Sequence, residues 1–237
     1  MSKKLFGMLM NKSSAKPQES QHEFIWYDPG QDNPFNKRIL DIRAFSSNIT
    51  SATDKDTDDR FWNLRESDGL EFTQVDSSKF LSFNCNLIYP HSGNVLEGVL
   101  YKAKSLEIKW DIYARNSIFY FVHSLSGDLI FKAYANIGEK EIKINKIEYN
   151  SNHNLYNFDE SIIVDVVHFI ILSHLFCLIV PHPIPDFIPE DETRLIANLS
   201  FKLFGPYAVY ATKESILDLA IISDGVPSSI FEQLNDS

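Results

Sequence analysis

Twenty consecutive residues, Ser161 to Val180 (SIIVDVVHFIILSHLFCLIV), are almost wholly apolar, and they end against PHPIPDFIPEDE. A run of this length either crosses a bilayer or is covered by protein on every side. Its contents favour protein. Asp165, His168, Ser173 and His174 lie inside it, and a carboxylate at a bilayer centre costs about 2.5–3.5 kcal/mol even on a lenient insertion scale. Its flanks carry Asp159 and Glu160 before, and Asp186, Glu190, Asp191 and Glu192 after, with no basic cluster to set an orientation. The expectation is no membrane span but one long helix buried in a core, opened by Asn157 and Glu160 in capping-box spacing. Pro181, Pro183 and Pro185 are expected to stop it, because proline lacks the amide proton and disfavours helix at the preceding residue. Alternate prolines favour extended chain, so 181–192 reads as a rigid connector returning the chain to a sheet.

The remaining chain has the means to build that core. It has 237 residues, 44% of them apolar, with 18 Phe and 10 Tyr, enough for one large domain. Residues 1–21 read as a flexible basic tail and 22–237 as a single domain. Within the tail, residues 3–12 hold a short apolar patch among lysines that allows peripheral membrane contact. The patch lacks the apolar length and cleavage site of a signal peptide.

Strand signals dominate the centre. Leu106, Ile108, Trp110 and Ile112 alternate with Glu107, Lys109, Asp111 and Tyr113, which predicts an antiparallel strand with one face in water. Turn signals at Arg115-Asn116-Ser117, Ser126-Gly127-Asp128 and Gly138 separate it from IFYFVHSL, LIFKAYANI and EIKINKIEY. Earlier strands are expected near 81–89 and 99–103, and in EFIWY and RILDIRAF. Asp56 or Thr57 is placed to cap a short helix through about Glu66. In the last third, Leu195 to Leu203 match both periods. Polar Asn198, Ser200 and Lys202 at period two favour a strand there, and Thr212 is placed to cap a helix carrying Ile216, Leu217, Ala220 and Ile221. A last helix is expected near 228–235. The predicted fold is α+β: an antiparallel β-meander, flat or curled, packed by one long buried helix and short C-terminal helices.

The charge of −10 is uneven: +3 over residues 1–20, −6 over 21–76, +2 over 77–149 and −9 over 150–237. A chain without a strongly basic face is a poor nucleic-acid binder, so no nucleic acid is expected. Two cysteines 92 positions apart, Cys85 and Cys177, fit reduced thiols in a cytoplasmic protein rather than a disulfide framework.

Motifs for chemistry are sparse. The chain has no Walker loop, no G-x-G-x-x-G, no G-x-S-x-G and no H-E-x-x-H. His168 and His174 are six apart, about 600° around a helix, so they point to nearly opposite sides and cannot chelate one ion. Asp54, Asp56 and Asp58 copy the start of a calcium loop, but Asp59 and Arg65 stand where it needs Gly and Glu. No metal or cofactor is expected. Two function classes remain. One is a cytoplasmic protein-binding module, of inhibitor or immunity type, that holds a basic partner with an acidic, aromatic-containing surface: Trp26, Asp28, Asp32, Asp56, Asp58, Asp59 and Trp62. The alternative is a hydrolase-like enzyme whose site is assembled from Cys85, His123, His174 and His182.

Overall fold

The computed structural model describes residues 24–30, 33–51, 53–93, 96–153 and 159–219. Its elements run β1 (Ile25–Tyr27), β2 (Ile39–Asp41), α1 (Arg43–Ser46), α2 (Lys55–Leu64), a 3-10 turn (Leu70–Gln74), β3 (Phe80–Pro90), β4 (Gly98–Tyr101), β5 (Trp110–Arg115), β6 (Ile118–His123), β7 (Leu129–Ile137) and β8 (Glu141–Asn150). Helix α3 (Glu160–Ile170) runs directly into a π-helix (Ile171–Leu175), followed by β9 (His182–Pro183), α4 (Thr193–Phe204), a 3-10 turn (Gly205–Tyr207) and β10 (Tyr210–Thr212). The fold is α+β. The tail over residues 1–21, its 3–12 patch, Asn157 and the helix expected near 228–235 lie outside the described residues.

Strands β3 to β8 form one antiparallel sheet in the order β3-β8-β7-β6-β5-β4. Strands β4 to β8 are the predicted meander, with β3 added beyond β8. The chain between β3 and β4 therefore passes from one edge of the sheet to the other. On the way the His91 amide donates to the Lys140 carbonyl, beside the β7–β8 turn. The β5–β6 hairpin leaves Asn116 and Ser117 between the paired Arg115 and Ile118. Their φ values of 52° and 60° give the two-residue turn whose twist matches that of the strands.

The alternation read across Leu106–Tyr113 needs two corrections. The strand begins at Trp110, and the face expected in water is buried. Trp110, Ile112 and Ala114 enter the larger core, while Asp111 and Tyr113, on the opposite face, are each 0% exposed. The reason is a cover. Leu64 at the end of α2 and Phe72 in the 3-10 turn pack over Tyr113, Tyr120, Val122 and Leu129. Alternation reported that the two faces differ in chemistry, and here both are dry.

Helix α3, the π-helix and α4 cover the other face. Ile163 to Leu175 are all buried, and Trp110 donates its indole N–H to the Leu203 carbonyl at 2.8 Å. A second sheet, β1-β2-β10-β9, packs against these helices through Leu40, Ile42 and Ala211. The buried helix is as expected, but its ends are not. Asp159 is the N-cap, its carboxylate accepting from the Ile162 amide at 3.1 Å. The prolines do not stop the helix. It closes earlier, at Cys177, whose φ is 52°, with Phe176 N–H donating to Ile171 O and Leu178 N–H to Leu172 O. Of the proline stretch only His182–Pro183 is strand, as β9 paired parallel with β10; beyond it the chain turns twice, with Ile188 N–H donating to Pro185 O and Glu192 N–H to Pro189 O, instead of the straight connector expected over 181–192.

Residues 193–204 are helix, not strand. Ile196, Ala197, Leu199, Ser200, Leu203 and Phe204 are buried, a stripe of helical period, and Ser200 is satisfied inside it by donating to the Ile196 carbonyl at 2.7 Å. The polar match at period two was incidental. Thr212 caps no helix among the described residues. It ends β10, donates to Arg38 O and accepts from Glu214 N–H. Among the described residues no helix is long and apolar enough to cross a membrane.

Candidate functional site

Helix α2 has two faces of opposite character. Its N-cap is Asp54, upstream of the Asp56 or Thr57 expected, and the Asp54 carboxylate accepts from the Thr57 amide at 2.8 Å. That backbone bond holds the Asp54 carboxyl below the usual range. Asp56 and Asp58 in the first turn complement the helix dipole. On the inner face Phe61 is 0% exposed. On the outer face Asp56, Asp59 and Trp62 follow one another at helical spacing, and Glu66 continues the line just past the helix; all four are exposed. The Trp62 ring is 60% exposed and meets Phe61 edge-on at 5.2 Å. Between Asp54 and Glu71 there are seven carboxylates and three basic side chains, and one of the three, Arg65, turns inward.

Arg65 clasps α2 to the sheet. Its guanidinium donates to both oxygens of Asp111 at 3.0 and 2.5 Å, to Phe61 O at 3.1 Å and to Ala103 O, and it lies 4.2 Å over the Phe61 ring. The Ala103 amide adds a 2.8 Å bond to Asp111. Burial raises the Asp111 pKa, although these bonds and Arg65 pull it down. Lys102 completes the clasp by donating to Leu64 O, Arg65 O and Ser67 O at 2.5, 3.0 and 2.6 Å. Arg65 is the helix C-cap and Ser67 lies just past it, while Leu64 O also accepts from the Ser67 amide. Nothing in the local spacing links Arg65 to a residue 46 positions on, so sequence reasoning missed this clasp. The one available signal was an acid in the middle of an otherwise apolar strand.

The seven residues expected to bind a partner fall into two groups. Asp56, Asp58, Asp59 and Trp62 belong to α2, where Asp58 accepts from the Thr53 hydroxyl. Trp26 and Asp28 belong to the smaller sheet, packed on the opposite face of the large one. There Arg38 lies 4.9 Å over the Trp26 ring and pairs with both Asp28 and Glu190, so an internal cation already offsets part of that group's charge. Asp32 lies outside the described residues.

The His and Cys candidates have separate surroundings. Cys85 sits on β3 with its thiol against Ile144 O, and burial pushes its pKa up to about 11. His123 ends β6, with two strands, β8 and β7, between it and β3 in the sheet order. It bonds Ser126 Oγ at 3.1 Å and lies beside His153, which pairs with Asp128 at 2.8 Å. Burial, then the neighbouring His153, lowers the His123 pKa to about 4. His174 bonds Ser173 Oγ and stacks on Tyr207 at 4.0 Å. His182 is wedged between Phe169 and Phe204. Surface clefts are lined by Phe24, Ile25 and Tyr27 with Asp41 to Phe45, by Gly93, Leu96 and Glu97 with Asn116 and Ile137, and by Asp159 and Asp165 with Phe187 and Lys213, and a small apolar cavity lies under Tyr89 and Phe176. None of these four takes a wall from Cys85, His123, His174 or His182. No group of three or more candidate metal ligands occurs among the described residues.

Comparison of the chain with protein-family models, with curated proteins and with solved structures gave no match.

Proposed function

We propose that this chain is a cytoplasmic protein-binding module that occupies a basic protein surface with the outer face of α2, acting by coverage as an inhibitor or immunity-type protein does. The observation that carries the reading is Trp62. A large aromatic ring 60% exposed, on a helix clasped to the sheet by Arg65, Asp111 and Lys102, is an anchor whose position is set before binding. Rigid aromatic anchors ringed by polar groups dominate interface energetics. The surrounding Asp56, Asp59 and Glu66 select for positive charge and steer its approach.

Immobilised full-length chain, used to capture proteins from a lysate at 50 and 500 mM salt, tests the reading. A basic partner is expected at low salt, with weaker recovery at high salt as the charges are screened. Trp62→Ala is expected to cost a hot-spot energy of about 2 kcal/mol, roughly thirtyfold in affinity. The pair Asp56→Lys and Asp59→Lys reverses the steering charges and leaves the Asp54 cap and the Thr53–Asp58 bond intact. Capture that survives both sets of substitutions unchanged would rule out α2 as the docking surface.

A further inference from the structure

Each seam between the helix layer and its neighbours holds one imidazole. His168, on α3, shares a 2.8 Å hydrogen bond with the Tyr89 hydroxyl on β3, one edge of the large sheet. His174, on the π-helix, lies edge-on to Tyr101 of β4, the opposite edge, and stacks on Tyr207. His182, on β9, holds the smaller sheet against Phe169 of α3 and Phe204 of α4. The three are 5%, 2% and 0% exposed, and the Nε2 of each has no hydrogen-bond partner.

Few charges face them. At the first seam stand Tyr89, with Cys85 near it, and Asp218, which is paired with Lys37 at 2.7 Å; the Leu219 carbonyl is the group nearest in kind to an acceptor. At the second stand the phenols of Tyr101 and Tyr207, hydrogen-bonded to each other at 2.7 Å, with Cys177 beside both and Asp111 acting on Tyr101. At the third, α3, α4 and β10 present Phe169, Phe204 and Ala211, none of them ionisable. Asp165, the one buried acid of α3, is held by Ser215 and the Ile216 amide. At His174 the Ser173 hydroxyl donates to Phe169 O and so accepts from Nδ1–H, which leaves Nε2 as a bare lone pair. A bare lone pair in an apolar seam is tolerable, but a proton at Nε2 of His174 or His182 adds a charge and a donor with nothing to receive them, whereas at His168 the Leu219 carbonyl offsets part of that cost.

We propose that the helix layer is an acid-released element: protonation of His168, His174 and His182 frees α3 and the π-helix from the two sheets, exposing the apolar run Ser161–Val180 before the large sheet and α2 unfold. The π-helical end is where opening starts, because its closing bonds span five and six residues and Cys177 adopts a positive φ. Burial holds the three imidazoles at about 4, 3 and 4. A histidine free in opened chain titrates near 6.5. A folded value depressed in this way keeps closure fully stable above about pH 6.5 and weakens it as pH falls below that. Each imidazole raises the open-to-closed ratio by at most about tenfold per pH unit, so from pH 6.5 to 5 the three together raise it on the order of a thousandfold.

The test is hydrogen exchange of the full chain from pH 7.5 to 4.5, corrected for intrinsic rates, with the dye ANS reporting exposed apolar surface. The expected result is loss of protection across 161–176 between pH 6.5 and 5, together with a rise in ANS fluorescence, while amides of β6 and β7 stay protected. Loss of protection in both regions at one pH, or protection of 161–176 intact at pH 5, would overturn the proposal. His174→Phe and His182→Leu should each shallow the pH profile by close to one proton. Should either variant fail to fold, the wild-type exchange map still decides. The proposal is independent of α2, whose docking is measured at pH 7.5.

Discussion

Asp111→Ala should be among the most damaging single substitutions in the molecule, although Asp111 never meets solvent or a partner. The carboxylate is 0% exposed and receives two bonds from Arg65 and one from the Ala103 amide. At an effective dielectric of about 20, a pair some 4 Å apart attracts by about 4 kcal/mol, and desolvation of the carboxylate cancels part of this, as the upward pressure on its pKa records. Removing one partner of a buried pair is different from removing the pair. It leaves the guanidinium, only 15% exposed, and the Ala103 amide without their acceptor, and such losses cost about 3–5 kcal/mol. Arg65→Met should cost a similar amount, because Arg65 also serves the Phe61 and Ala103 carbonyls. The double variant Arg65→Met with Asp111→Ala leaves no orphaned charge, so its cost should fall below the sum of the singles by about 2–3 kcal/mol. Urea denaturation at pH 7.5, followed by far-UV circular dichroism, measures the three variants and the wild type. A single-variant loss under about 1 kcal/mol, or strict additivity, would show that Arg65 and Asp111 do not act as a clasp. The same variants carry a second readout. Asp111→Ala should weaken partner capture while leaving every residue on the outer face of α2 unchanged.

Three further expectations follow from individual residues. Phe61→Ala should destabilise by about 3–5 kcal/mol, whereas its neighbour Trp62→Ala should change stability by less than about 0.5 kcal/mol; equal losses in a urea melt would mean that Trp62 belongs to the core. At pH 7.5 Ellman's reagent should label Cys177, which is exposed, well before Cys85, whose thiol is half-buried and shifted to about 11, and a fast phase that vanishes in Cys85→Ser but persists in Cys177→Ser would reverse that assignment. Ser117→Gly should stabilise the β5–β6 hairpin by about 1 kcal/mol, since Ser117 holds φ at 60° where a side chain is penalised; a lower urea midpoint in the variant would contradict it.

The sheet was legible because its information is local. Asn116-Ser117 and Gly127 mark turns with positive φ, and short connections leave neighbouring strands little choice but to pair. The buried helix was legible from composition alone. The errors share a cause: a residue's meaning was set by a contact that its local pattern does not show. Ser200 read as a surface position because its satisfaction by the Ile196 carbonyl appears only once a helix is assumed. Cys177, rather than Pro181, ends the helix run through a positive φ that no residue type at that position announces. Asp111 read as wet because residues 55–74, which cover it, lie before β3 and give no pattern that points forward to β5.

The candidate site divides along the same line. Asp56, Asp59 and Trp62 could be read from sequence because a helix repeats its face every three to four residues. What turns that face into a preset surface could not. An exposed tryptophan on a loose helix would have to be ordered when the partner binds, at about 0.5–1.5 kcal/mol for each side chain fixed. Phe61 buried beneath it, with Arg65 and Lys102 closing the helix end, imposes that order during folding instead. The acidic group around Trp26 lacks this quality for a different reason. Arg38 already lies over the ring and pairs with Asp28 and Glu190, so a basic partner would have to displace an internal cation to reach it. Two patches of similar composition therefore differ in what they offer a partner, and the difference lies in where the nearest arginine points: on the smaller sheet it faces the acids that would recruit a partner, and under α2 it faces the core.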